Sequence, residues 1–144
     1  MLKINFLAVL LNTVLSLGLG FLWFAVLFKK PWGEEMNYSG EKPTPAVMMK
    51  SFGIFLIGSF FTALVFGYIM KISEFIAAFK VLPVGYEAFS VAFFIWLGFY
   101  LPQSLGRVSW EFKSWRLVLI HGSYDLVRMV MMAMIFWNWK VSAQ

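Results

Sequence analysis

Between Trp115 and Trp139 the chain is apolar enough to cross a bilayer, yet His121, Asp125 and Arg128 lie inside that stretch. Spacings of four and three residues place all three on one helical face, within an arc of roughly 60° at about 100° per residue. The opposite face carries Leu119, Leu126, Val130, Met134 and Trp137. An ionisable side chain at mid-bilayer costs about 2.5–3.5 kcal/mol on insertion scales, so this helix must turn its polar stripe toward protein, water or its own neighbours. A lone span does not meet that requirement, and a bundle does.

Three further apolar runs supply the bundle. With 61% hydrophobic and 13% charged residues, against about a quarter charged in soluble domains, the chain reads as an all-α integral membrane four-helix bundle. A single transmembrane domain is expected over residues 1–144, with spans near 4–28, 48–70, 85–105 and 115–139. The first run extends beyond the usual signal-peptide core and has no small-x-small site before Lys29, so it reads as a retained span. Lys29, Lys30 and Pro31 close it, and the loop that follows, with Pro43-Thr44-Pro45, reads as partly irregular. From Lys71 to Leu82, Ile72, Phe75, Ile76 and Phe79 recur at helical spacing among Lys71, Glu74 and Lys80. This is a short amphipathic segment, and periodicity leaves open whether it lies at the interface or continues span two. Pro102 is expected to kink the end of span three.

The net charge of +5 comes from basic residues beside the spans, where they set orientation and meet lipid headgroups, so nucleic acid is not the expected partner. Loops one and three carry seven Lys and Arg, against four at the termini and loop two. The positive-inside rule then puts both loops in the cytoplasm and both termini outside, in a bacterial inner membrane. Trp32, Trp110 and Trp115 sit at span ends as interfacial anchors. The absence of cysteine removes thiol and disulfide chemistry.

Span one has its own polar stripe, in which Asn5, Asn12, Ser16 and Trp23 fall within about 40° of one another with Gly20 beside them, and Ser16-x-x-x-Gly20 allows close helix approach. Counting about 1.5 Å per residue along antiparallel spans one and four brings Asn12 level with Arg128, Ser16 with Asp125 and Gly20 with His121. Asn12 is expected to bond the Arg128 or Asp125 head group. Gly58-x-x-x-Thr62 on span two and Gly98 on span three are further packing positions, and these small-residue faces point to a homo-oligomer. Glu87 is expected at headgroup level, in water.

Three functions are open to the stripe. In the structural or accessory one, Asp125 and Arg128 form an intrahelical ion pair, His121 bonds the carboxylate, and the cluster fixes which face of span four turns inward. In the transport one, the same side chains line a path for protons, ions or a small solute, in an oligomer because four short spans enclose little volume. In the enzymatic one, His121 acts as general base oriented by Asp125 while Arg128 holds a lipid or quinone headgroup. No nucleophile elbow, zinc-helix motif or phosphate loop accompanies it. His121 is the only histidine, and Met129, Met131, Met132 and Met134 spread around the helix, so neither a metal nor a cofactor is expected.

Asn5-Phe6-Leu7-Ala8-Val9, Gly20-Phe21-Leu22-Trp23 and Phe28-Lys29-Lys30-Pro31-Trp32 resemble the opening of a bacterial four-span family catalogued as domain of unknown function 1761. Trp96-Leu97-Gly98-Phe99, Leu101-Pro102, Trp110-Glu111, Ser114-Trp115-Arg116-Leu117 and Ile120-His121-Gly122-Ser123-Tyr124 continue the resemblance in order and spacing over most of the chain. It implies a four-span membrane fold and carries no activity. The family pattern more often has asparagine at the position of His121, and Asp125 and Arg128 are not family-wide. The resemblance therefore implies a polar helix-packing position with variable chemistry.

Overall fold

The computed structural model describes residues 3–38, 43–76, 83 and 85–142, with side chains through Trp139. Helix α1 (Phe6–Phe21) starts on Asn5, whose side chain accepts from the Leu7 and Ala8 N–H groups at 2.9 and 3.3 Å. It widens into a π turn, Leu22–Leu27, in which the Phe28 N–H donates to the Trp23 carbonyl at 2.8 Å. The helical path breaks at Phe28 and resumes as α2 (Lys29–Glu35). Pro31 falls in the first turn of α2, where the N–H it lacks has no intrahelical partner, so the charge pair and the proline together start a helix rather than a coil.

Helix α3 (Pro45–Ser73) begins three residues earlier than the hydropathy suggests. The Thr44 hydroxyl caps it by accepting from the Val47 N–H at 3.4 Å, and Pro45 takes the first helical position, where proline is pre-organised. At 29 residues and about 1.5 Å each, α3 exceeds a bilayer core of about 30 Å. The first residues of the amphipathic segment therefore belong to span two: α3 runs through Ser73, and Lys71 pairs with Glu74 at 2.8 Å. Positions 77–82 lie outside the described residues.

Gly85, at φ +89°, takes a left-handed turn that admits glycine readily, and α4 (Tyr86–Ile95) follows it. A second π turn, Trp96–Tyr100, leads into α5 (Leu101–Ser109). Pro102 sits at the start of α5, and the π turn before it shifts the carbonyl pattern that a mid-helix proline would clash with. Span three thus passes through Pro102 and ends at Ser109. Helix α6 (Trp115–Ser142) is capped by the Ser114 hydroxyl, which accepts from the Leu117 N–H at 3.2 Å.

Among the described residues, four stretches are long and apolar enough to cross a membrane: Phe6–Leu27, Pro45–Ser73, Tyr86–Ser109 and Trp115–Trp139. The described residues contain helices and turns without strands. Span one packs on spans two and four, and span three packs mainly on span four, which is the most enclosed of the set. Val9, Ala63, Phe66, Ala92, Met129 and Met132 form the core. Since lipid tails are as apolar as these side chains, close packing rather than water exclusion holds the spans together. Gly67 shows how close: a Cβ there would sit 2.9 Å from Phe136 Cζ.

Candidate functional site: a buried arginine joining three spans

Arg128 is 7% exposed and lies on the inward face of α6. Its Nε donates to Ser16 Oγ on α1 and its Nη2 to Ser59 Oγ on α3, each at 3.3 Å. The Phe55 ring of α3 lies under the guanidinium, 5.7 Å from Cζ to the ring centroid, which adds a cation–π contact in a desolvated setting. Arg128 therefore ties three spans together through neutral partners. Among the described residues the ion pairs are Lys71–Glu74 and Arg116–Glu34. The intrahelical pair expected between Asp125 and Arg128 does not form, because the guanidinium is drawn across to the hydroxyls of the neighbouring spans.

Side-chain direction explains why Ser16, not Asn12, meets the arginine. Helical side chains lean toward the N-terminus of their own helix, so Arg128 reaches about one turn back, to the level of Asp125, where Ser16 stands. Tyr124 leans the same way, toward Gly20: its hydroxyl donates to the Ser16 carbonyl at 3.4 Å, and a Cβ at Gly20 would lie 3.3 Å from that hydroxyl. Asn12 is fully buried, and its amide oxygen and nitrogen have no hydrogen-bond partner among the described residues. Ser16 in turn donates to the Asn12 carbonyl at 2.7 Å.

The other members of the stripe are not wired together. His121 makes no hydrogen bond to Asp125; its ring packs beside Phe24 at 5.1 Å, and Phe24 also meets Tyr124 at 4.9 Å and Trp32 at 5.6 Å. Glu87 does not reach Arg128 and instead accepts from Ser73 Oγ at 3.2 Å. No group of three His, Asp or Glu among the described residues is placed to hold a metal.

Two indoles, one from span one and one from span three, hold the His121 turn. Trp23 Nε1, in the π turn of span one, donates to the Ile120 carbonyl at 3.0 Å. Trp96 Nε1, in the π turn of span three, donates to the Gly122 carbonyl at 2.7 Å. Single π turns inside α-helices often mark functional positions, and here both deliver a tryptophan to adjacent parts of one turn of α6.

The matched sequence extends across this whole arrangement: residues 7–137 fit the family described as Protein of unknown function (DUF1761). The chain belongs to that family. No curated protein and no solved structure matches it.

In this DUF1761 chain, α2 docks on the start of α6: Arg116 pairs with Glu34 at 2.9 Å, and the Ser114 hydroxyl donates to Glu35. Trp110 and Trp115 stand exposed near the ends of spans three and four, whereas Trp32 is partly buried against Phe24. Gly58 and Gly98 face open space, since a Cβ at either position would meet nothing within 4 Å, and Thr62 bonds back to the Gly58 carbonyl at 2.9 Å. Sequence reasoning did not single out Ser59, Phe55 or Tyr124 as partners of the stripe. Ser59 neighbours the Gly58 packing position, and Phe55 reads as one more lipid-facing aromatic. Trp23 stands on the polar stripe of span one, whereas Trp96 looks like an ordinary span tryptophan, and no periodic signal marks a π turn.

Proposed function

We propose that this DUF1761 chain is a multi-pass membrane protein of structural or accessory role, in which the span-four cluster serves as an interhelical latch. The observation that carries this reading is the bonding of Arg128: Ser16 and Ser59 come from two other spans, while His121, Asp125 and Arg128 form no hydrogen-bonded chain. A relay needs successive donors and acceptors, and a general base needs an orienting partner; an interhelical clamp needs neither. Lys29, Lys30, Arg107, Lys113 and Arg116 collect at the end formed by α2 and the turn between α5 and α6, which supports placing that end on the cytoplasmic side of an inner membrane. The open small-residue positions Gly58 and Gly98 support self-association through spans two and three.

One observation favours transport as the second reading: the Asn12 amide is buried, unpartnered and one turn from Ser16, and such a group suits an ion or solute passing along span one. Purified protein in liposomes, assayed for proton and potassium flux beside folded Asp125→Asn and Arg128→Gln variants, separates the two. The latch predicts wild-type flux equal to empty liposomes. Protein-dependent flux that either variant abolishes overturns it in favour of a pathway.

A further inference from the structure

A cleft of about 1330 Å³ opens between spans one and two on the α2 side of the molecule. Drug-sized sites occupy about 300–1,000 Å³, so this one has room for a long ligand. Its walls are apolar and aromatic, with Phe21, Phe24, Phe52 and Phe55 among them, and its charged lining, at the rim, is Lys29, Lys30 and Glu34. From that rim it descends to Leu17 on one wall and Phe55 on the other. At about 1.5 Å per residue this is a depth of roughly 12–20 Å, comparable with one leaflet of a hydrocarbon core about 30 Å thick. Neither lysine forms an ion pair with a described residue, since the acids of α2 are turned toward α6, Glu34 to Arg116 and Glu35 to Ser114. Trp32 also lines the cleft, and its indole N–H is buried without an acceptor among the described residues.

We infer that this cleft binds an anionic phospholipid, with an acyl chain along the aromatic walls and the phosphate against Lys29 and Lys30. The division of charge carries the assignment. An apolar slot alone suits any lipid tail, but here Glu34, the one acid on the rim, is neutralised by Arg116 and Glu35 is bonded to Ser114, which leaves two cations at headgroup height. Each lysine near a phosphate favours the anionic lipid, and Trp32 Nε1 gains the oxygen acceptor it lacks. At its floor the lipid meets Phe55, the ring beneath Arg128. The site shares Phe55 with the latch, but its headgroup contacts, Lys29, Lys30 and Trp32, all lie in α2 and bond none of the latch residues.

The test is native mass spectrometry of the purified full chain, titrated with phosphatidylglycerol or with phosphatidylcholine of the same acyl chains. Wild type is expected to retain phosphatidylglycerol roughly tenfold better. The Lys29→Gln/Lys30→Gln variant is expected to lose that preference, and Ser51→Trp, which fills the cleft from the α3 wall, to lose retention of both lipids. Lys113→Gln, at the same end but outside the cleft, is expected to behave as wild type. Equal retention of the two lipids by wild type overturns the site. So does an equal loss in Lys113→Gln, which is general charge attraction, or unchanged retention in a folded Ser51→Trp variant. Competition by glycerol phosphate alone also overturns it, because that ligand has the headgroup without the chain.

Discussion

Ser16→Ala removes the acceptor of the Arg128 Nε bond, and the structure sets the size of the effect. Hydrogen bonds between spans of a membrane protein contribute about 0.6 kcal/mol on average and about 1.7 at most, and a charged donor roughly doubles a neutral bond. Both Arg128 bonds measure 3.3 Å, just beyond the usual 2.7–3.2 Å range, which favours the lower part of that scale. A coupling of about 1–1.5 kcal/mol is therefore expected between Arg128 and each serine. The single substitution overstates it, because the Ser16 hydroxyl also donates to the Asn12 carbonyl at 2.7 Å. That loss is common to both backgrounds, so a cycle of wild type, Ser16→Ala, Arg128→Met and the double variant cancels it. Arg128→Met alone is expected to be mild, since methionine fills the apolar volume and removes a buried charge. Detergent-solubilised protein unfolded in a rising fraction of dodecyl sulfate, followed by tryptophan fluorescence, gives the four free energies. Coupling below about 0.5 kcal/mol at both Ser16 and Ser59 refutes the latch.

The two tryptophan clamps give a second prediction. Trp23→Phe and Trp96→Phe each delete one indole donor to the His121 turn. Each is expected to cost about 1 kcal/mol and to speed amide hydrogen exchange around residues 120–124 more than around 130–134; uniform exchange refutes the clamp. At the other end of the core, Gly67→Ala drives a methyl to 2.9 Å from Phe136 Cζ, on a ring that stacks on Phe66 at 6.3 Å. The expected destabilisation is about 1–3 kcal/mol, largely recovered by adding Phe136→Leu, and unfolding measurements showing no recovery exclude that contact as the cause.

How much of the site the sequence disclosed depends on the kind of signal each residue carries. Arg128 and Ser16 were marked, since a charge or hydroxyl on an inward helical stripe stands out against apolar neighbours. Their pairing lies one turn from the Asn12 register that counting backbone rises gives, because such counting ignores the lean of long side chains toward the helix N-terminus. The Asp125–Arg128 pair expected from i,i+3 spacing gave way to Ser59, which lies on a span that spacing within α6 does not describe. The π turns left no trace in periodicity, yet they set where Trp23 and Trp96 meet α6.

The sequence by itself determined the class of this protein. Four apolar runs separated by charges and prolines have one economical solution in a bilayer, where each backbone amide must be satisfied within its own helix. It also determined that span four must turn His121, Asp125 and Arg128 toward the interior, because the cost of facing lipid is set by the residue alone. Only the tertiary structure decided what meets them there. Ser59, Phe55 and the two indole donors come from other helices, and their distances depend on helix register, π turns and side-chain lean. The cleft beside Lys29 and Lys30 arises in the same way, from α2 turning its acids toward α6, a contact between residues about eighty positions apart that no local pattern encodes.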